Sequence, residues 1–508
     1  MVTGYTGLLT ATVFLPAVGA LAILLVVRGE RNIRVFAVLI ALADLVLALA
    51  AFFLFDHSDG ADRFQFIDKF AWISSETLNA SFFLGVDGLS VPLIALTGLL
   101  GLCAVLASWR ISLRVREYFV WLLILQTAVM GVFASLDLLL FFLFWELELV
   151  PMYMLISIWG SGRKEYSAMK FLIFTILGSA FMLVAIVAVF VTPGVGTFDM
   201  TLLSTSGSML TSAATLIPLG GIFWLFLVAF AIKLPVWPLH TWLPDAHSDA
   251  PTAASVMLAG VLLKMGGYGI LRINVGMFPM ETHKFAWALI TMGVVSVIYG
   301  AVVTMRQTDL KRLIAYSSVS HMGLVMVGVG SVGVAQGELT LAGLNGAAMQ
   351  LFTHGTITGL LFLVAGLVYD KAHTRYIPDL GGLASRMPIV AAAVLVAGLA
   401  SLGLPGLSGF VSELLVFMGA FQAYAWPTVL AVVGIVLAAG YILWMIERAF
   451  FGRRPDRFSQ LTDASLVEAL PLGLLMISIL AVGIYPSFLS DVFASGLEPI
   501  VAVFNGGG

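Results

Sequence analysis

Apolar residues run along this chain in stretches of about 20 residues, long enough as helices to cross a hydrocarbon core ~30 Å thick. Short polar joints separate them. The pattern predicts an all-α polytopic membrane protein with about 14 transmembrane helices, forming a single integral-membrane domain over residues 1–508. The predicted spans are centred near residues 17, 45, 97, 126, 146, 181, 227, 260, 294, 320, 354, 403, 437 and 482.

Composition supports a membrane protein. Hydrophobic residues make up 60% of the chain and charged residues 10%, against roughly 25% charged in soluble domains. The net charge of −3 gives no reason to expect a nucleic-acid partner. The first apolar run, residues 7–27, lacks a basic start and a small-residue cleavage site, so we interpret it as a retained span. The single cysteine, Cys103, excludes an internal disulfide and a cysteine-held zinc or iron-sulfur site.

Lysine and arginine fall mainly into alternate joints. Nineteen lie in one set of joints and four in the other, while Lys233 and Lys264 lie inside spans. Positive joints face the cytoplasm, so we expect both termini on the outer side, and richness in Ala, Gly and Val suggests the inner membrane of a bacterial cell. The four residues of the minority set are Arg63, Lys69, Arg272 and Lys284. The second joint is predicted to be an acidic external loop, with Asp56, Asp59, Asp62 and Asp68.

Proline interrupts two spans at apolar depth. Span 7 carries Pro235 and Pro238, and span 12 carries Pro405 between glycines. The two spans are five apart, and an odd offset reverses direction across the bilayer. This predicts two inverted five-helix repeats, residues 117–275 for spans 4–8 and residues 284–450 for spans 9–13, with broken helices 7 and 12 near an ion path.

Charged residues inside the spans need partners or water, because each costs about 2.5 to 3.5 kcal/mol at the centre of a membrane helix. Glu146 and Glu148 lie two positions apart, roughly 200° around a helix, so both cannot face one partner. Spacing alone does not decide which is functional. Lys233 precedes the proline break, and Lys264 lies deep in an apolar run. For Lys233 we weigh proton handling against snorkelling to the interface, which is less available to Lys264.

Glu413 and two histidines complete the set of candidate proton carriers. Glu413 follows the Gly-Pro-Gly break of span 12, where it could hold a proton or cap the second half-helix. His321 shares a helix face with serines, and His354 is surrounded by threonines. Imidazole can take either protonation state near neutrality, so we favour a relay over histidines satisfied by neighbouring carbonyls. No trio of ligands at a zinc-binding spacing is present.

The joint after span 7 carries four further polar residues that we interpret as structural and solvated. A role at a proton entrance is the less favoured alternative. They are His240, Asp245, His247 and Asp249.

Four ordered motifs carry a family resemblance over nearly the whole chain. They are FWELELVPMY, KLPVWPLHTWLPDAHSDAPTAASVMLAGVLLKMGGYGILR, DLKRLIAYSSVSHMG and GLPGLSGFVSE. Together they resemble the antiporter-like subunits of proton-translocating NADH-quinone oxidoreductase, respiratory complex I. Glutamate in span 12 matches the M type of that family, since the L and N types carry lysine there.

The resemblance implies a proton path through matching residues. By motif position the span-5 glutamate is Glu146, with Glu148 as an extra acid, and Glu146 is expected to pair with Lys233. The other implied proton-transfer residues are Lys264, His321, His354 and Glu413. It also implies a subunit of a translocating enzyme that has no cofactor of its own. NADH, FMN, iron-sulfur clusters and quinone are expected in partner subunits, and L and N subunits are expected as neighbours in the lipid bilayer.

Two other function classes stay open. Subunits of multi-chain Mrp-type sodium/proton antiporters carry the same charges and use ion gradients without a redox reaction. A structural scaffold, in which the charges only hold helices together, is the third possibility.

Overall fold

The fold is an all-α bundle with one small β-hairpin. A computed structural model describes residues 6–58, 60–74, 79–205, 210, 215, 217–334 and 339–506. In this part of the chain, 12 helices are long and apolar enough to cross a membrane, and four apolar helices are shorter. Thirteen of the fourteen predicted span centres fall inside a helix, and the other, residue 403, falls in a helix break. The predicted polytopic fold is confirmed.

The elements of the first half begin with two long helices and the hairpin. They are α1 (Leu8–Leu25), α2 (Glu30–Leu54), β1 (Gln65–Ser74), β2 (Asn79–Val86), α3 (Val91–Ala107), α4 (Val115–Ala134), α5 (Leu138–Leu147), α6 (Leu149–Trp159), α7 (Lys164–Phe190), α8 (Met200–Thr205), α9 (Leu219–Lys233) and α10 (Leu243–Asp249). Span 8 follows as α11 (Thr252–Met257), a π-helical turn (Leu258–Leu262), α12 (Leu263–Gly269) and a second π-helical segment (Ile270–Val275).

The second half is helical throughout its described elements. They are α13 (Pro279–Lys284), α14 (Ala286–Thr304), α15 (Leu310–Gly330), α16 (Ala342–Ala372), α17 (Pro388–Ser401), α18 (Ser408–Ala423), α19 (Ala425–Ile446), α20 (Leu466–Ile484) and α21 (Ser487–Phe504). Short 3₁₀ turns cover Ser331–Gly333, Ile377–Asp379, Leu383–Ser385 and Asp456–Phe458, and a π-helical turn covers Glu447–Phe451.

The predicted acidic loop contains the antiparallel hairpin β1-β2. Asp68 on β1 is fully buried and accepts hydrogen bonds from the amides of Gly7 (2.9 Å) and Thr10 (3.1 Å). A carboxylate at this position stabilises the positive N-terminal end of α1. Asp59 lies outside the described residues. We call the side of the bundle that carries this hairpin the hairpin face, and the side with most arginines and lysines the basic face.

Both predicted helix breaks are present. After α9 the chain turns for nine residues before α10 begins, and the indole Nε1 of Trp242 donates to the carbonyl of Ile232 (2.9 Å), which the break leaves without its helical partner. The break between α17 and α18 contains Gly403 and Gly406 at φ +68° and +89°. These left-handed conformations favour glycine.

Helix α21 lies along the hairpin face instead of crossing the bundle. The ring of Phe488 lies 5.2 Å from that of Phe52 at the end of α2. Ser490 Oγ accepts from Asn345 near the start of α16 (3.1 Å), and Asn505 Oδ1 accepts from the amide of Leu339 (2.8 Å). All three neighbours lie at helix ends on the hairpin face. The fourteen predicted spans therefore end with α20, and α21 is an additional surface helix.

Candidate functional site

The six predicted proton-transfer residues all lie in described helices. Five of them are buried, with exposed fractions of 1% for Lys233, 0% for Lys264, 5% for His321, 2% for His354 and 4% for Glu413. The sixth, Glu146, is only partly buried. The helices bring four of these residues, Lys264, His354, His321 and Glu413, into one group. Lys233 belongs to a second group.

Lys233 forms a buried ion pair with Glu148, not with Glu146 as the family resemblance implied. Pro151 has no amide hydrogen for the carbonyl of Leu147, and the helix loosens there, between α5 and α6. Glu148 occupies this junction, is fully buried, and faces the end of α9. Glu146 lies on another side of the helix, so the expected Glu146 pairing was wrong.

Aromatic rings surround the Lys233 ammonium. Its Nζ lies 5.4 Å from the ring centroid of Trp145 and 5.5 Å from that of Phe171. These faces stabilise a cation in an apolar setting. The second oxygen of Glu148 has no hydrogen-bond partner within the described ranges, so the pair is incompletely satisfied by protein groups.

Lys264 contacts a histidine and a free carbonyl. Its Nζ lies 2.8 Å from Nδ1 of His354 on α16, and it also donates to the carbonyl of Ala259. Ala259 lies in the π-helical turn, whose wider winding displaces backbone groups from α-helical pairing, and π-turns are frequent at functional sites. No carboxylate lies within ion-pair distance of Lys264 in the described structure.

His321 links His354 to Glu413. The rings of His321 and His354 have centroids 5.8 Å apart. His321 Nδ1 lies 3.5 Å from Glu413 Oε1, and its Nε2 lies 3.0 Å from Ser401 Oγ at the end of α17. Lys264, His354, His321 and Glu413 therefore form one continuous line of neighbouring side chains, which we call the lysine-glutamate line.

The break in span 12 makes room for Glu413. A Cβ atom at Gly403 would lie 2.4 Å from Glu413 Oε2, so a larger residue would displace this carboxylate from its position. Its φ of +68° makes glycine favourable for a second reason. The turn at the helix break and the position of the Glu413 carboxylate therefore both depend on Gly403.

The two groups meet through backbone packing. A Cβ atom at Gly266, two residues after Lys264, would lie 2.6 Å from both the amide nitrogen of Leu234 and the carbonyl oxygen of Phe230. The absence of a side chain at Gly266 lets α12 approach the broken end of α9, where Lys233 lies. The Lys233 pair and the lysine-glutamate line therefore lie on helices in direct backbone contact.

His247 is a buried residue that the sequence analysis placed wrongly in a solvated joint. It belongs to α10, is fully buried, and stacks on Phe362 with ring centroids 4.5 Å apart. It lies within electrostatic range of Lys264 and Lys311. His240 and Asp249 are also buried, at 2% and 8% exposure. The half-helix after a proline break was the available signal, because a broken span continues at membrane depth.

A cavity of about 430 Å³ opens near this histidine on the basic face. Lys311, Asp370 and Arg375 line it together with Ala250, the residue that follows α10. Lys311 Nζ donates to the Ala250 carbonyl (2.7 Å). The cavity opens at the basic face and reaches the residue that follows α10.

The sequence pattern placed Arg272 in a joint between spans, but this residue is buried within span 8. Its guanidinium forms a two-pronged contact with Asp87 (2.6 Å and 2.5 Å), and Arg63 lies 4.0 Å from the same carboxylate. Burial raises the pKa of Asp87, but the charges and hydrogen bonds of Arg272, with Arg63 behind them, outweigh burial and hold that pKa below its usual value. This pair fixes span 8 to the loop before α3.

No group of three or more His, Cys, Asp or Glu side chains in the described ranges could hold a metal ion. The charged groups of the site contact one another, serines and backbone carbonyls. Proton transfer is the chemistry that this arrangement can perform.

Comparisons with known proteins give a consistent result. The profile of the family described as "NADH:quinone oxidoreductase/Mrp antiporter, TM" matches residues 135–438. NAD(P)H-quinone oxidoreductase chain 4 1 of Synechococcus elongatus is 43% identical over 494 residues, 96% of this chain and 90% of the relative. NAD(P)H-quinone oxidoreductase chain 4 of Gloeobacter violaceus is 40% identical over 505 residues, 97% of this chain and 93% of the relative.

Solved structures show the same fold. A chain of respiratory complex I from Thermus thermophilus with bound NADH has a TM-score of 0.84 and 28% identity, covering 98% of this chain and 100% of that one. A chain of the Mrp complex from Dietzia sp. has a TM-score of 0.81 at 20% identity, covering 98% of each chain, and shows the fold alone. The resemblance inferred from the motifs is confirmed: the chain belongs to the NADH:quinone oxidoreductase/Mrp antiporter transmembrane family.

Proposed function

We propose that this chain is a proton-translocating membrane subunit of an NADH-quinone oxidoreductase, driven by quinone reduction in other subunits. The observation that carries the proposal is the lysine-glutamate line, in which four ionisable side chains follow one another in space within the interior of a membrane bundle. Intramembrane ionisable residues of this kind mark proton relays. The named relatives support the oxidoreductase context, since they are NAD(P)H-quinone oxidoreductase chains and this chain aligns with nearly their whole length.

The proposed path runs from the Lys233 pair to Glu413. Protonation of Glu148 leaves the Lys233 ammonium without its counter-ion. The uncompensated charge then acts electrostatically on Lys264, whose helix is held close by the packing at Gly266. Lys264 then releases a proton to His354 Nδ1, which it already contacts. Rotation of the two imidazoles carries the proton across to His321 and Glu413. His247 and the basic-face cavity supply Lys264 from the cytoplasm.

The finer assignments follow from the same residues. Glutamate at position 413 supports the M type, with L and N subunits as neighbours in a bacterial inner membrane and both termini outside. The breaks after Lys233 and before Glu413 support inverted repeats over residues 117–275 and 284–450. NADH, FMN, iron-sulfur clusters and quinone belong to partner subunits in this proposal. An Mrp-type sodium/proton antiporter subunit is less favoured, since the Mrp chain of Dietzia sp. is 20% identical and the complex I chain of Thermus thermophilus is 28% identical.

Replacement of Lys264 by alanine tests the proposal. In membrane vesicles that contain the assembled complex, K264A should keep assembly and lose proton pumping driven by NADH oxidation. The matched control is Lys284→Ala, since Lys284 is exposed on the hairpin face and outside the line. Unchanged pumping in K264A would overturn the proposed path and favour a scaffold role for the charges.

A further inference from the structure

A second buried acid lies far from the proton path in sequence, at the middle of α2. Asp44 is fully buried, and Gln126 on α4 is 1% exposed. Gln126 is the one hydrogen-bond partner recorded for the Asp44 carboxyl among the described residues. No charged side chain of the described elements packed around it, α1, α3 and α4, forms an ion pair with Asp44.

The hydrogen bonding is incomplete if Asp44 is a carboxylate. Gln126 Nε2 and Asp44 Oδ2 lie 2.6 Å apart, while Asp44 Oδ1 and Gln126 Oε1 are both buried without a partner in the described structure. A carboxylate and an amide oxygen are both acceptors, so neither can satisfy the other. Two unsatisfied buried acceptors side by side are unfavourable in an apolar setting.

The short distance leads to the same conclusion from the other amide orientation. The nitrogen and oxygen of a glutamine amide are assigned from the hydrogen-bond network. If the amide is rotated, the 2.6 Å contact joins two oxygens, a normal length for an O–H···O hydrogen bond and a short one for N–H···O. Two oxygens at this distance need a proton between them, and a glutamine carbonyl cannot supply it. The proton must belong to Asp44.

We propose that Asp44 binds a proton at neutral pH and shares it with Gln126, so that a neutral acid-amide bridge joins α2 to α4. The acid O–H donates to the glutamine carbonyl, and the amide N–H donates to the acid carbonyl. No bond is formed or broken beyond the binding of one proton. The bridge is a proton-binding site separate from the lysine-glutamate line.

Gly101 on α3 gives the bridge its space. A Cβ atom there would lie 2.4 Å from both Cδ and Oε1 of Gln126 and 2.5 Å from its Nε2. The glutamine side chain therefore passes directly over the α3 backbone to reach Asp44. A residue larger than glycine at this position must push the amide away from the acid.

Infrared difference spectroscopy of the purified complex tests the proposal. The spectrum of wild type minus Asp44→Asn should contain the carbonyl stretch of a protonated carboxylic acid and no carboxylate bands, at neutral pH. The control is Asp56→Asn, because Asp56 is exposed and hydrogen bonds from Ser58 lower its pKa, so its difference spectrum should contain carboxylate bands only. Carboxylate bands lost in D44N would overturn the proposal.

A second variant covers the case in which D44N fails to assemble. Gly101→Ala should shift the acid carbonyl band without removing it, because the amide partner is displaced while the proton stays. Gly440→Ala is its control, since a Cβ atom at Gly440 meets nothing within 4 Å. An unshifted acid band in G101A, or the absence of an acid band that responds to either substitution, would contradict the bridge.

Discussion

The choice between Glu148 and Glu146 as the partner of Lys233 yields the sharpest prediction. Glu148→Gln keeps the shape and an acceptor oxygen but removes the charge from a fully buried ion pair. Leaving one member of such a pair without its partner costs about 3–5 kcal/mol. At about 1.36 kcal/mol per tenfold change in an equilibrium constant, this cost corresponds to a factor of roughly 10² to 10⁴ in any equilibrium that depends on the ion pair.

The assay is proton uptake by inverted membrane vesicles during NADH oxidation, with the amount of assembled complex measured in parallel. E148Q should assemble and lose at least about tenfold in pumping, because every transport step that depends on the ion pair becomes less favourable by the factor above. Glu146→Gln is the matched control on the same span, and it should pump faster than E148Q because Glu146 is partly exposed and interacts with Lys233 only at longer range than an ion pair. Normal pumping by E148Q together with lost pumping by E146Q would refute the reasoning.

Three further predictions concern the packing at the helix break of span 12, the buried Asp87–Arg272 ion pair and the packing of α21. Gly403→Ala places a Cβ atom 2.4 Å from the Glu413 carboxylate, and pumping should fall with assembly retained; Gly473→Ala, where the added atom meets nothing within 4 Å, should pump normally. Asp87→Asn should lower the stability of the purified chain by about 3–5 kcal/mol at neutral pH. Because Arg272 and Arg63 hold the folded-state pKa of Asp87 below its ordinary value, this stabilisation is fully present above the ordinary aspartate pKa and is lost as the pH falls through the folded-state pKa. Wild type and D87N should therefore converge in acid, and equal thermal midpoints at pH 7 would contradict the ion pair. Gly496→Ala should lower the thermal midpoint, since its Cβ atom would lie 2.4 Å from the amide of the loop before α3, and an unchanged midpoint would show that α21 adds little there.

Most of the fold could be predicted because a membrane helix can be recognised from its own sequence. A span must satisfy its backbone internally, so length and hydropathy locate it without knowledge of its neighbours. Proline breaks are equally local, and those near Pro235 and Pro405 were found at their positions. Helix α21 was missed because its apolar residues follow those of span 14 almost directly, with only Tyr485 and Pro486 between the two helices.

The partners of buried charges could not be predicted with the same success. Motif position selected Glu146, whereas the loosened turn before Pro151 directs Glu148 toward Lys233. Helical periodicity correctly showed that the two acids face different directions but had no reference for the direction of α9. His247 was assigned to water because a polar joint usually lies outside the membrane, although the proline break before it indicated a half-helix that continues at membrane depth.

The lysine-glutamate line has an acid at one end and a base at the other, which determines its electrical balance. With Lys264 as ammonium and Glu413 as carboxylate, the formal charges sum to zero. Moving one proton from end to end leaves an amine and a carboxylic acid, and the sum is again zero. The transfer therefore cancels two separated charges instead of relocating one, and the apolar interior favours the cancelled state through its low dielectric constant. Resetting the line requires work to separate these charges again, which is where an external driving reaction must act.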